Sequence, residues 1–315
     1  MKNLVPLFAI CTLALPAFAH GETPLPSGLS AVSGAMSGSA APSTEPPSPE
    51  TPSPAARFSL GIGAEHQPAL AGALPPGVVS ARLLAGWELP NGSRMTALDL
   101  ELQPGWKTYW RNPGDGGIPA DFDWEGSENL EAVQIHWPMP EVIDSGGLRS
   151  LGYHERLVLP LEITPHDPDA PIAVNLRMDL GLCETICVPG HLVLSAPPIG
   201  QEPDPLIEAA LAAAPLPEGA IGECRVDEIR DGLRLSAQVP VASEQEASAA
   251  ALEFDGGGDS GGIWVSEPVV QVEGGRLTAS ADFIDESGKP FALDMSRVRL
   301  TLIGTSEAWE FEGCP

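Results

Sequence analysis

The sequence predicts an all-β protein with a β-sandwich N-terminal domain followed by a second small β-sandwich domain. Two observations carry this prediction. Apolar residues alternate with more polar ones in many short segments, which is typical of antiparallel strands with one buried face. Clusters of Gly, Pro and Asn separate these segments and provide the turns. The alternating segments begin at Val79, Leu98, Val133, Leu157, Leu233, Leu277 and Val298.

One short helix interrupts the strands. Asp204 and Pro205 form a helix start, because Asp caps the first turn and Pro is favoured at the first helical position. An apolar stretch follows, and Pro215 ends the helix. We therefore place a boundary between two domains at this helix.

The domain organisation follows from composition. An apolar run from Leu4 to Phe18 ends at the small-residue pattern Ala17-Phe18-Ala19, which is typical of a secretory signal peptide. A segment rich in Pro, Ser, Gly and Ala follows, with too few apolar residues to form a core. The predicted order is a signal peptide at 1–19, a disordered linker at 20–75, a first β domain at 76–200, a helical linker at 201–217 and a second β domain at 218–315.

Charge and hydropathy limit the partners. The chain has 16 Lys and Arg against 43 Asp and Glu, a formal charge of −27, which disfavours binding to nucleic acid. After the signal, no stretch approaches the roughly 18 consecutive apolar residues of a membrane-spanning helix. We therefore expect an exported, soluble protein without a transmembrane anchor.

Four cysteines follow the signal peptide, and an even number in an exported protein suggests disulfides. Cys183 and Cys187 are neighbours, whereas Cys224 and Cys314 bracket the second domain, so we pair them in this way among three possible connectivities. In the chain-entropy model the long bridge stabilises the fold by about 4 to 5 kcal/mol and the short one by roughly 2 kcal/mol. A structural role therefore suits 224/314 better than 183/187.

The alternation of side chains along the strand predicts the face on which the short disulfide lies. The apolar face from Val174 to Leu182 alternates with polar residues, and Cys183 is in phase with the polar set. Its sulfur is therefore expected to point away from the core, where another molecule can reach it. We expect a turn to bring back Cys187 and a new strand to begin at His191, so that the disulfide lies at a hairpin tip.

Several motifs occur in a fixed order between residues 76 and 200. They are Gly105-Trp106-Lys107-Thr108-Tyr109-Trp110-Arg111-Asn112-Pro113-Gly114-Asp115-Gly116-Gly117, Trp137-Pro138-Met139-Pro140, Gly152-Tyr153 and Gly181-Leu182-Cys183-Glu184-Thr185-Ile186-Cys187-Val188-Pro189-Gly190. Together they resemble the periplasmic N-terminal domain of the DsbD thiol-disulfide interchange family, in particular its ScsB-like, copper-tolerance branch. The resemblance implies an immunoglobulin-like sandwich whose cysteine pair accepts electrons and passes them to periplasmic client disulfides.

This resemblance assigns the roles. Cys183 and Cys187 occupy the positions of the catalytic pair, and no cofactor or metal is implied. We expect the electron donor to be a separate membrane thiol-disulfide reductase or a thioredoxin-like protein, because the sequence contains neither membrane segments nor a Cys-x-x-Cys module. The candidates to line or cap the disulfide are Tyr109, Trp110, Tyr153 and His154, and the loop from Asn112 to Gly117 is either a lid or a tight turn.

Two alternatives stay open at the level of sequence. Both disulfides can be structural, which would make the protein a non-catalytic interaction module. Alternatively, the reduced Cys183 and Cys187, with His191 and Met178 or Met139, form a set of soft ligands that suits copper(I).

Overall fold

The computed structural model describes residues 73–241, 247–254 and 262–315, and these belong to one compact unit. The predicted signal peptide at 1–19 and all but the last residues of the predicted linker at 20–75 lie outside the described residues. The described part is nearly all β, and the predicted fold class is confirmed.

The first sandwich is built from eleven strands. They are β1 (Val78–Leu83), β2 (Trp87–Glu88), β3 (Arg94–Leu102), β4 (Lys107–Tyr109), β5 (Asp121–Asp123), β6 (Leu130–Ile135), β7 (Glu141–Ser145), β8 (Leu148–His154), β9 (Arg156–Pro165), β10 (Asn175–Cys183) and β11 (Cys187–Ser195). One sheet has the order β1-β3-β9-β6, with β2 also paired to β3. The other has the order β11-β10-β4-β8-β7, with β5 also paired to β10.

Leucine side chains from both sheets fill the space between them. Leu98 and Leu100 of β3 and Leu176 and Leu180 of β10 are buried in one cluster. Burial of each such side chain stabilises the folded state by about 1.5 to 3 kcal/mol relative to exposure. This core fixes the position of β10, which carries the short disulfide.

Helix α1 (Pro205–Ala212) begins as the sequence predicts, with the Asp204 side chain accepting a hydrogen bond from the Leu206 backbone N–H (2.9 Å). Its Ile207 is fully buried against Met95 and Ala97 on the outer face of β3. Strand β3 is therefore buried on both faces, whereas its alternating sequence predicts only one. The prediction was wrong because the helix that covers the second face lies a hundred residues later in the chain.

The second sandwich follows the helix. Its strands are β12 (Leu216–Gly219), β13 (Glu223–Ile229), β14 (Gly232–Pro240), β15 (Ala249–Phe254), β16 (Trp264–Val265), β17 (Val269–Glu273), β18 (Arg276–Ile284), β19 (Val298–Ile303) and β20 (Ala308–Glu312), with a 3₁₀ turn at Met295–Arg297 before β19. One sheet has the order β12-β20-β19-β15 and the other β13-β14-β18-β16, with β17 also paired to β18.

The two sandwiches touch. Ala249 and Ala251 of β15 and Ile303 of β19 pack in the same buried cluster as the core of the first sandwich. The domain boundaries given above stay a prediction, since this contact joins both parts. Within the described residues, no helix is long and apolar enough to cross a membrane.

Candidate functional site

The short disulfide closes the hairpin of β10 and β11. The ladder between these strands is continuous from Asn175 opposite Ser195 to Cys183 opposite Cys187, and the two cysteines are bonded with their Cα atoms 4.1 Å apart. Strand β11 begins at Cys187 and not at the predicted His191. The strand accommodates Pro189, which has no N–H to donate, because β11 is the edge of its sheet.

The two cysteines differ in exposure. Cys187 lies on the exposed turn, whereas Cys183 is only 1% exposed. The prediction that another molecule can reach the Cys183 sulfur directly is therefore wrong. The alternation of side chains along a strand gives the face on which a residue lies, but not what packs on that face. Here Ile118 and the Tyr109 ring lie close to Gly181, two residues before Cys183.

Tyr109 at the end of β4 covers the disulfide. Its hydroxyl donates to Cys183 Sγ at 2.9 Å and lies 3.2 Å from Cys187 Sγ. Burial raises the pKa of the Tyr109 hydroxyl above its ordinary value, so that the group keeps its proton, and can donate, up to a higher pH than an exposed tyrosine. A single hydroxyl thus contacts both sulfur atoms.

The cap segment, defined here as residues 110–120, lies between β4 and β5. Because both strands pair with β10, the segment leaves the sheet beside this strand and returns to it. It packs directly on Tyr109: a Cβ added at Gly117 would lie 2.7 Å from Tyr109 Cδ1 and 2.3 Å from Pro113 Cβ. The Pro113 carbonyl accepts from the Leu151 N–H (3.1 Å), which ties the segment to β8.

The structure separates the other candidate residues from the sulfur atoms. Trp110 and Tyr153 are buried in the core cluster, and the Tyr153 hydroxyl donates to the Pro138 carbonyl (2.7 Å). His154 is half-exposed, and its Nδ1 lies 2.8 Å from a carboxylate oxygen of Glu141. Tyr153 faces the core because side chains alternate along β8. Among the four predicted lining residues, Tyr109 is the one with hydrogen bonds to the disulfide.

Lys107 is a neighbour of the disulfide that the sequence-based prediction missed. It lies directly opposite Cys183 in the pairing of β4 with β10, and paired residues project on the same face, with Cβ atoms about 4.5 to 5.5 Å apart. Its side chain is buried, and its Nζ donates to Ser145 Oγ (3.0 Å). The sequence contains one indication of this position: Lys107 precedes Tyr109 by two residues, and residues two apart in a strand lie on the same face.

The soft ligands considered for copper(I) are not gathered at the disulfide. His191 lies four residue pairs along the hairpin, about 13 Å at the usual rise of a strand, and its Nδ1 is 2.8 Å from Asp179. Met178 is buried in the core, and Met139 is partly buried against the same cluster. In the part of the chain that the structure describes, no group of three or more His, Cys, Asp or Glu is placed to hold a metal ion.

The second disulfide has a different setting. Cys224 of β13 and Cys314, just after β20, are bonded across 90 residues of sequence. Both are half-buried against the core of the second sandwich. This bridge joins the first and last parts of that sandwich.

Comparisons with known proteins agree with the geometry. Residues 80–196 match the family model described as "Thiol:disulfide interchange protein DsbD, N-terminal". No curated protein matches the chain. Among solved structures, the N-terminal periplasmic domain of ScsB from Proteus mirabilis matches with 22% identity and a TM-score of 0.53, covering 74% of this chain and 90% of that chain. The matched part is 74% of this chain, whereas residues 1–196 make up less than two thirds of it. The similarity of fold therefore extends into the second sandwich.

Proposed function

Residues 80–196 form a domain of the DsbD N-terminal type, and from this premise we propose that the protein exchanges thiols and disulfides through Cys183 and Cys187. In this role the pair accepts two electrons from a donor protein and passes them to the disulfide of a client. The observation that carries the proposal is the asymmetric disulfide at the hairpin tip, with Cys187 exposed, Cys183 buried and the Tyr109 hydroxyl in contact with both sulfur atoms.

We infer that the donor first attacks the sulfur of Cys187, the exposed cysteine of the pair. A thiolate of the donor approaches along the S–S axis and needs open access to the sulfur that it attacks. Of the two cysteines, only Cys187 is exposed. The new bond forms between the donor sulfur and Cys187 Sγ, the bond between the two cysteines breaks, and Cys183 leaves as a thiolate.

Tyr109 assists the departure of Cys183. Its hydroxyl already donates to Cys183 Sγ (2.9 Å), and this hydrogen bond becomes stronger when negative charge develops on the sulfur. This hydrogen bond favours the thiolate over the thiol, and a better leaving group is displaced faster.

The second step completes the reduction. The second cysteine of the donor, as a thiolate, then attacks the donor sulfur of the mixed disulfide. This step releases Cys187 as a thiolate and leaves the donor oxidised. Two electrons and two protons have then passed from the donor to Cys183 and Cys187. The same steps in reverse reduce the disulfide of a client, and no cofactor enters the exchange.

We place this exchange in the periplasm. The donor is a membrane thiol-disulfide reductase or a thioredoxin-like protein, and the acceptors are periplasmic client proteins with disulfides. The signal-like sequence at the N-terminus and the similarity in fold to a periplasmic domain of ScsB support this location.

The first test compares the redox equilibria of the two disulfides. The protein is equilibrated with graded glutathione or dithiothreitol, alkylated, and mapped by mass spectrometry. We expect Cys183/Cys187 to have a potential above about −300 mV, in the range of exchangeable bridges, and Cys224/Cys314 to lie below it. If both pairs resist reduction alike, the short bridge is structural and the protein is an interaction module.

The copper(I) alternative is tested with the same reduced protein. Binding of copper(I) that disappears in the Cys183→Ser/Cys187→Ser variant would favour a role in copper tolerance over electron transfer. We expect no such binding at the disulfide, because His191 and Met178 lie away from it.

A second test concerns the order of attack. Thioredoxin that lacks its resolving cysteine serves as the probe, since its single thiolate stops at the mixed disulfide. We expect peptide mapping to place the probe on Cys187. Attachment mainly to Cys183 would contradict the order of attack proposed here.

A further inference from the structure

Arg111 connects the cap segment to the second sandwich. Its Nε lies 3.1 and 3.2 Å from the two carboxylate oxygens of Glu253 on β15, and its Nη2 lies 3.0 Å from one of them. The same Nη2 also donates to Glu310 of β20 and to Thr301 of β19 at 3.3 Å. Arg111 thus contacts three neighbouring strands of one sheet.

The contact is largely shielded from water. The side chains of Arg111, Glu253 and Glu310 are 17%, 14% and 19% exposed, and the guanidinium lies over the Trp110 ring at 4.3 Å. Burial alone would lower the pKa of Arg111, but the two carboxylates outweigh it and raise the pKa above its ordinary value. Such a partly buried, bidentate pair is screened less than a surface ion pair.

A second contact lies one residue further along. The Asn112 side-chain amide donates to the Leu252 carbonyl of β15 (3.2 Å), and its oxygen accepts from the Gly114 N–H (3.2 Å). The cap segment is therefore fixed to the second sandwich at its start, immediately before the residues that pack on Tyr109. Tyr109 in turn lies on the disulfide.

We propose that the second sandwich positions the cap segment: Glu253 and Glu310 hold Arg111, and through it keep Tyr109 and the cap segment closed over the Cys183–Cys187 disulfide. Arg111 and Asn112 are positioning residues in this arrangement, since neither touches the sulfur atoms. The consequence for exchange rests on the proposed function, but the effect on access to the disulfide does not.

The test measures how fast a small reductant reaches the disulfide. The full chain and its Glu253→Gln/Glu310→Gln variant are treated with limiting dithiothreitol, quenched by alkylation, and mapped. We expect Cys183/Cys187 to be reduced about tenfold faster in the variant, within the usual range of coupling between two sites. Cys224/Cys314, followed in the same samples, should keep its rate.

Two further variants make the result specific. Asp282→Asn removes an exposed ion pair with Arg234 in the other sheet of the same sandwich and should leave the rate unchanged. Asn112→Ala removes the contact of its amide with the Leu252 carbonyl and that of its oxygen with the Gly114 N–H. It should raise the rate about threefold, within the range for the loss of one or two ordinary hydrogen bonds. It also decides the matter if the double variant does not fold.

Wild-type rates in every folded variant with an altered Arg111 or Asn112 contact would overturn the proposal. An equal rise in Asp282→Asn would overturn it as well, because the effect would then be general destabilisation. Dithiothreitol needs no docking surface, so this result does not depend on whether the protein exchanges with clients. The redox equilibrium of the wild-type protein tests that separately.

Discussion

The two disulfides of this protein differ in the length of the loop that they close and in the exposure of their cysteines. Cys224–Cys314 closes 90 residues and lies half-buried against the core of the second sandwich. Cys183–Cys187 closes a four-residue step and lies at a hairpin tip, with one exposed cysteine and one buried beneath a tyrosine. In the chain-entropy account, a bridge restrains the unfolded chain more when its loop is longer. The long bridge is therefore suited to stability and the short one to exchange.

The comparison shows that exposure and covering have to be considered together. A fully open disulfide would react with any thiol, and a fully buried one with none. The short bridge combines an exposed Cys187 with a buried Cys183, and its cover is a separate segment of chain that packs on Tyr109. The long bridge has no comparable hydroxyl contact among the hydrogen bonds of the described residues.

The largest expected difference concerns stability. Cys224→Ala/Cys314→Ala should lower the free energy of unfolding by about 4 to 5 kcal/mol, whereas Cys183→Ala/Cys187→Ala should lower it by no more than about 2 kcal/mol. Denaturant unfolding of the two variants beside the wild type measures this. Exchange activity should follow the opposite order. An equal loss of stability in both variants would mean that the short bridge is also a structural staple.

The next effect concerns the fit of the cap segment on Tyr109. Gly117→Ala places a methyl group 2.7 Å from Tyr109 Cδ1 and 2.3 Å from Pro113 Cβ. Overpacking of this kind typically costs about 1 to 3 kcal/mol. We expect lower stability in thermal unfolding and faster reduction of Cys183/Cys187 by dithiothreitol.

The matched control lies one residue earlier. Gly116→Ala places its methyl group 3.4 Å from Leu148 Cβ and 3.5 Å from the Arg149 carbonyl, which is ordinary contact. It should change both measurements little. If the two variants behave alike, the fit against Tyr109 does not determine access to the disulfide.

A comparable effect concerns the Tyr109 hydroxyl. Tyr109→Phe removes the hydroxyl that donates to Cys183 Sγ in the disulfide. We expect the same hydroxyl to donate to the Cys183 thiolate of the reduced protein, and a hydrogen bond to a charged group is worth about 1.5 to 3 kcal/mol. The pKa of the Cys183 thiol should therefore rise, as read from alkylation rate against pH. Tyr153→Phe is the control, because its hydroxyl donates to Pro138 in the core. An unchanged thiol pKa in Tyr109→Phe would show that the hydroxyl does not stabilise the thiolate.

The fold and the site were predictable to different degrees. The alternation in Leu98, Leu100 and Leu102 is a local property, and the helix cap at Asp204 depends on its next two residues, so both could be read from the sequence. The pairing of Cys183 with Cys187 rested on their proximity in sequence. These features follow from the chain within a few residues.

The cover of the disulfide could not be predicted in this way. Tyr109 contacts a cysteine 74 residues later, and Arg111 contacts Glu253, 142 residues later. Parity gave the face on which Cys183 lies, but the burial of that face depends on how β4, β5 and the cap segment pair with β10. Tyr109 could not be distinguished from Trp110 or Tyr153 because aromatic residues in a conspicuous motif are equally suited to a core.

The smallest effect is the shift in the pKa of Tyr109. Its titration reports most directly on how Tyr109 covers the disulfide. The chain has two tyrosines, so in Tyr153→Phe the ultraviolet absorbance of tyrosinate reports on Tyr109 alone. Burial raises the pKa of Tyr109, and the midpoint should lie above the ordinary value of about 10. Since the folded state favours the neutral hydroxyl, the contribution of Tyr109 to stability should be constant below about pH 10 and should fall as the pH rises towards its folded-state pKa. A midpoint at or below 10 would mean that Tyr109 is open to solvent and that the short disulfide has no cover to set it apart from the long one.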